Sequence, residues 1–286
     1  MIFQMPVIKI KNYRWIIVVL LFFATTINYI DRQIIGLLKP ILEAEFNWSE
    51  TDFAHIVMAF TAAYAIGLLV IGRLIDKLGT RLGYSLIICA WSIAGMLHAV
   101  SRSALHFALA RFGLGLGESG NFPAGVKAIS EWFPKKERAL ATGIFNSGTS
   151  IGVVLALLIV PWILKYYNWH EVFLITGAVG FIWLIFWLLL YDIPSRQKRL
   201  TAEEYEYIIS DTRNEAKGRD NDNKTKIKWS RLFTFPQTWA LITGKGLIDP
   251  IFWFFLFWLP SYFSSAYEID LTKPSIELII IYTSTT

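Results

Sequence analysis

Again and again the chain runs for about 20 residues with almost no charge, the length at which a helix crosses the hydrocarbon core of a bilayer. Such runs fall at 15–38, 53–72, 83–100, 105–127, 139–164, 171–191 and 237–260, with a shorter eighth from 275 onward. A backbone in hydrocarbon must satisfy its own polar groups, so repeated runs of this kind predict an all-α membrane protein. Composition excludes the rivals. With 55% apolar and 17% charged residues the chain is not disordered, and its single cysteine, Cys89, allows neither an intrachain disulfide framework nor CxxC zinc clusters. The first run follows Lys9, Lys11 and Arg14 as a signal peptide would, but it is too long, lacks a small-residue cleavage site and is followed by further spans.

The net charge of +5 lies between the apolar runs, which argues against a nucleic-acid partner. Of 27 Lys and Arg, nineteen lie in the tail before residue 15, in the connections near 73–81 and 135–138, and in the connection 192–236. The alternate connections hold four, Lys39, Arg102, Lys165 and Lys273. That asymmetry predicts a cytoplasmic N-terminus. The remaining four, Arg32, Arg111, Lys127 and Lys245, fall inside spans, where charge is costly and usually lines a cavity or pathway. Lys127, near the end of its span and near Glu131, is expected to snorkel. In the connection 192–236, Thr201-Ala202-Glu203-Glu204 fits a capping box and predicts a surface helix over 203–213. Residues 221–228 read as a polar linker, and the whole connection as a solvated tether between two bundles.

The stretch Gly72-Arg73-Leu74-Ile75-Asp76-Lys77-Leu78-Gly79-Thr80-Arg81 resembles the loop signature of the major facilitator superfamily, at the position between the second and third spans where that family carries it. Leu82 stands where the family often has a second basic residue. Asn28-Tyr29-Ile30-Asp31-Arg32, and Arg111 through Glu118 with Gly113, Gly115 and Gly117 between them, resemble the anion:cation symporter group, which carries organic acids. So does Arg199-Leu200-Thr201-Ala202-Glu203-Glu204. In the seventh span, Gly244-Lys245, Asp249-Pro250 and Phe257-Trp258-Leu259-Pro260 are similar to bacterial hexuronate transporters. The resemblance runs from about residue 14 to 263.

It implies the six-helix N-terminal half of a major facilitator fold over 15–191, plus one to two further transmembrane helices. A cytoplasmic tail (1–14), the cytoplasmic connection 192–236 and the start of a second bundle (237–286) complete the division. In such a fold Gly72, Asp76, Lys77, Gly79 and Arg81 would form a conformational gate, with Gly72 allowing close helix approach and Asp76 pairing with basic neighbours. The resemblance further implies that Asp31 and Glu118 take protons from outside and release them inside, with Arg111 stabilising ionised Glu118. It also makes Tyr29, Tyr64 and Thr149 substrate contacts. Thr149, shorter than the Gln some sugar-acid carriers have there, favours a ring-form uronate.

Chemistry gives Arg32 its part independently, because a guanidinium holds a carboxylate through two parallel hydrogen bonds. Arg111 and Glu118, seven apart, share a helix face about 10 Å apart. Lys245 and Asp249 face each other at i,i+4 and are open to two readings, mutual neutralisation or a cavity wall. His55, His98, His106 and His170 show no metal-ligand spacing, and no GxxxxGK[ST] loop is present, so neither an enzyme nor a cofactor is expected.

The sequence-level expectation is proton-coupled symport of an organic anion, a hexuronate such as glucuronate or galacturonate, across the bacterial inner membrane by alternating access. The alternative is a membrane protein that binds such an acid without moving it. The second bundle stops early and its last ten residues do not resemble the family. This suggests a truncated gene or a frameshifted end, with the missing C-terminal half supplied in cis or in trans.

Overall fold

The computed structural model describes residues 9–218 and 229–284; the expected polar linker 221–228 and residues 1–8 of the tail lie outside them. The described chain is helical: α1 (Tyr13–Phe46), α2 (Glu50–Leu78), α3 (Thr80–Leu97) with a 3₁₀ turn at His98–Val100, α4 (Ala104–Glu118), α5 (Asn121–Trp132), α6 (Lys135–Leu164), α7 (Trp169–Leu190), α8 (Ala202–Gly218), the single turn α9 (Trp229–Leu232), α10 (Pro236–Tyr267) and α11 (Ile276–Ser284). Among the described residues six stretches are long and apolar enough to cross a membrane: α1, α2, α3 with its 3₁₀ turn, α6, α7 and α10. The fourth expected span is present as two helices in succession.

Its break has a local cause. Pro123 has no N–H to give the Ser119 carbonyl, and the Ser119 hydroxyl donates back to Leu116 O at 2.7 Å. The chain steps at Ser119–Gly120 and resumes as α5. Elsewhere the helices outrun their apolar cores. α1 continues through Pro40 to Asn47, whose left-handed backbone (φ 52°) ends it, so Lys39 is a helix residue and not part of a connection. α2 starts at a capping box on Ser49 and Asp52 and runs on through the first part of the loop signature, Gly72 to Leu78. The connection to α3 reduces to Gly79, at φ +79°, a conformation that only glycine adopts without strain.

Small residues set the helix spacing. A Cβ on Gly148 or Gly152 of α6 would lie 2.6 or 2.5 Å from the Phe22 or Thr26 carbonyl of α1, and one on Gly115 of α4 would lie 2.5 Å from Phe60 O of α2. One on Gly117 would lie 2.8 Å from Trp91 of α3. α4 is thus wedged between α2 and α3, and α1 against α6, as small-residue faces allow between membrane helices. Gly72 meets nothing within 4 Å, so the close approach expected there does not occur.

At the N-terminal end of the bundle the first part of the connection is docked, not a free tether. Arg14 donates to Glu137 (2.9 Å) and to Glu204 of α8 (2.9 Å), and Tyr207 caps the cluster by donating to Glu137 (2.7 Å). Ile10 N donates to Arg199 O, and Leu200 and Ile208 are buried. Thr201 caps α8 through Glu204 N, but the Glu204 carboxylate takes the N–H of Tyr13 instead of closing the capping box. At the opposite end Phe46, Trp48, Phe107, Trp169 and Phe173 pack ring on ring, with Trp169 Nε1 donating to Glu45.

A cavity in front of a buried ion pair

α1, α2, α5, α6 and α10 line a cavity of about 880 Å³. Five residues that the sequence marked for the substrate line it together: Tyr29 and Arg32 from α1, Tyr64 from α2, Thr149 from α6 and Lys245 from α10. Asn28, Asn121, Asn146 and Asp249 add further polar groups, and Phe122, Phe145, Phe252 and Trp253 add ring faces. That mixture of aromatic walls and a few polar groups is the usual lining of a small-molecule site.

Arg32 lies in the wall with 1% of its surface exposed. Its Nε donates to Glu118 Oε2 at 2.8 Å and its Nη2 to Asn28 Oδ1 at 3.0 Å. Around the guanidinium stand the rings of Tyr29 (4.6 Å), Tyr64 (4.8 Å), Trp253 (5.0 Å) and Phe60 (5.4 Å). Carboxylate, amide and rings together satisfy a charge that hydrocarbon would not accept.

Asp31, one residue before Arg32, does not belong to the cavity lining, and neither do Arg111 and Glu118. All three are buried. Arg111 was expected to hold Glu118; the structure gives that place to Arg32. Arg111 makes no hydrogen bond among the described residues through any of its three guanidinium nitrogens, and Glu118 Oε1 is likewise without a partner. Arg111 stays within electrostatic range of Asp31 and Glu118 and sits beside the Phe60 ring at 5.8 Å. Two carboxylates and two guanidinium groups therefore share one interior, of which a single pair is in contact.

Lys245 donates to Asp249 Oδ1 at 3.2 Å, so the i,i+4 pair forms, and both partners line the cavity with Lys245 largely exposed. Lys127 does not merely snorkel; it donates to Asp76 Oδ1 (2.8 Å) and Ile75 O, binding the loop signature to α5. Glu131 instead accepts from Thr80 (2.7 Å) and Tyr191 (2.6 Å). Arg81 reaches Leu188 O (2.6 Å) and Asp192 (3.4 Å), while Lys77 is exposed. These contacts join the ends of α2, α3, α5 and α7.

Two groups escaped the sequence reading. Lys39, 1% exposed, donates to Glu50 (2.6 Å) and to Ser261 of α10 (2.9 Å) over the Phe53 ring; the expected span stopped at residue 38, which placed it in a connection. Trp253 follows Asp249 by four residues and Lys245 by eight, so a stripe search on α10 would have found it. Lys245, Asp249, Trp253, Phe257 and Ser261 recur every fourth residue in a stripe that winds slowly round α10.

A bundle of apolar helices holding a polar cavity backed by buried charge is the arrangement of a membrane protein that admits a small polar solute between its helices. Comparison with known proteins makes this specific. The family model of the Major Facilitator Superfamily matches residues 21–285, and the chain belongs to that family. The match takes in the final residues, which the motifs alone had set apart. A galacturonate transporter of Dickeya chrysanthemi is 36% identical over 265 residues, covering 93% of this chain and 76% of its own length. A hexuronate transporter of Escherichia coli (strain K12) is 35% identical over 265 residues, covering 93% of this chain; the chain spans 61% of that relative. Among solved structures, a bacterial homolog of the human lysosomal transporter Spinster, inward-facing and unoccupied, superposes with a TM-score of 0.71 at 21% identity, over 96% of this chain and 60% of the other. The fold is that of the family, and the protein is a multi-pass membrane protein.

Proposed function

We propose that the cavity receives a sugar-acid anion of the hexuronate class and that this anion crosses the membrane together with protons. Arg32 anchors the carboxylate, Tyr29, Tyr64 and Thr149 meet the hydroxyls, and Lys245 offers positive charge from α10. Asp31 and Glu118, with Arg111 between their charges, carry protons, and the loop around Gly72, Asp76, Lys77, Gly79 and Arg81 locks and releases helix ends. The N-terminus is cytoplasmic on the distribution of Lys and Arg. The names of the relatives support the substrate class.

The observation that carries this reading is the 2.8 Å contact between Arg32 and Glu118 at the cavity wall. One guanidinium cannot fully serve two carboxylates. When a proton from water settles on Glu118, the ion pair is broken and Arg32 is free for a substrate carboxylate. When that proton leaves, Glu118 reclaims Arg32 and the anion is expelled. Proton and anion thus favour each other's binding, by reciprocal linkage.

The test is uptake of labelled glucuronate or galacturonate into vesicles under an imposed pH gradient. Acid outside should drive accumulation, and Arg32→Ala and Glu118→Gln should abolish it. Unchanged uptake in Arg32→Ala would remove the site assignment. Binding without flux in the same vesicles would favour a protein that holds the acid without moving it.

A further inference from the structure

Arg32 lines the cavity yet has almost no exposed surface, and the rings around it explain why. Tyr29 belongs to its own helix and Phe60 and Tyr64 to α2, which are parts of the same bundle. Only Trp253 arrives from α10. It packs against Tyr64 at 5.6 Å and Phe60 at 5.9 Å, edges tilted, and so completes the box over the guanidinium.

The position of Trp253 along α10 matters as much as its ring. Beyond it, α10 lies tight on the first bundle: Phe257 O is 3.0 Å from where a Gly36 Cβ would stand, Trp258 packs on Phe53 at 5.4 Å, and Ser261 accepts from Lys39 at 2.9 Å. Before it, Asp249 and Lys245 only line the cavity, and Gly246 and Gly244 meet nothing within 4 Å. Trp253 is therefore the residue at which α10 leaves the bundle, where a small rotation about the Phe257–Ser261 contact displaces a ring by the largest amount that still matters to Arg32.

We propose that Trp253 is a shutter between the cavity and Arg32: a carboxylate reaches the guanidinium only when α10 moves this ring aside. This rests on the assignment of Arg32 as the anion anchor, and it adds that access to that anchor is set by the second bundle's first helix. A site whose competent state is only fractionally populated binds more weakly by that fraction. Removing the shutter removes the penalty. The outcome opposes the alternative, in which Trp253 stacks on the sugar ring and its loss weakens binding.

Two measurements on the full chain in lipid nanodiscs test this. The first needs no substrate: modification of Arg32 by p-hydroxyphenylglyoxal, followed by mass spectrometry, with buried Arg111 as internal reference. Trp253→Ala should raise the Arg32 rate at least about fivefold and leave Arg111 unreactive, while Trp253→Phe, which keeps a ring, should stay near wild type. An Arg32 rate unchanged in Trp253→Ala overturns the shutter. The second is calorimetric titration with D-glucuronate. Trp253→Ala should bind at least about fivefold more tightly and Arg32→Ala/Trp253→Ala not at all. Weaker binding in Trp253→Ala overturns the shutter in favour of stacking. A wild type that binds no glucuronate overturns the anion-site reading, and the modification rate then judges the shutter by itself.

Discussion

A guanidinium and a carboxylate that touch away from water add less stability than their geometry suggests, because both gave up hydration to get there. The cost appears when one partner is removed. Arg32→Met should leave Glu118 buried without its cation and destabilise the protein by about 3–5 kcal/mol. Glu118→Gln should cost less, since its amide oxygen can still accept from Arg32 Nε. The double variant should recover part of the Arg32→Met loss, a coupling that thermal denaturation of all four proteins in one detergent would reveal; purely additive losses would mean that the pair contributes nothing as a pair. At this scale the sequence marked charges well and partners poorly. Arg32, Glu118, Asp31 and Arg111 stood out as polar groups in apolar runs, but whether Arg32 or Arg111 holds Glu118 depends on how α1 and α4 are rotated against each other. Helix spacing within one chain segment carries no such information.

Helices in this protein meet where side chains are absent, and those places make strong demands. Gly115→Ala would drive a methyl group into the Phe60 carbonyl and Ala63, a backbone clash expected to cost about 1–3 kcal/mol. Gly72→Ala, with nothing in reach, should be silent in the same melting experiment. The element boundaries follow a related logic. Six of the seven expected spans were evident from apolar length, yet α1 and α2 overran their expected ends because charged residues such as Lys39 and Asp76 remain helical when a partner is supplied across the bundle. The break at Ser119–Gly120 had its cause in plain view at Pro123 and was hidden by the apolar residues on either side. The docking of α8 was less visible, since Glu204 reads as one more surface charge until Arg14 is known to lie beside it. Glu204→Ala should release α8, so that backbone amides over 202–210 exchange about tenfold faster while those of α3 and α7 do not change.

Taken across the whole molecule, the lining of the cavity is one-sided. On α1 it includes Thr25, Asn28, Tyr29 and Arg32, while Gly36 and Lys39 farther along are already in contact with α10. On α2 it runs from Thr61 to Leu68, while Phe53 is covered by Trp258. On α10 it ends at Trp253. Each helix thus turns from wall to contact at the same level, and the cavity lies toward the end that carries the N-terminus, Arg14 and Arg81. If the excess of Lys and Arg fixes that end in the cytoplasm, the cavity faces inward, and a single accessibility measurement tests both statements. In a Cys89→Ser background, Lys245→Cys should react with a membrane-impermeant maleimide in inside-out vesicles and resist it in right-side-out ones. Glu50→Cys, at the opposite end and exposed, should show the reverse pattern. Reaction of both positions from the same side would mean that the cavity is open at the end where Lys39 holds Ser261. Reversal of both would keep the geometry and invert the protein in the membrane.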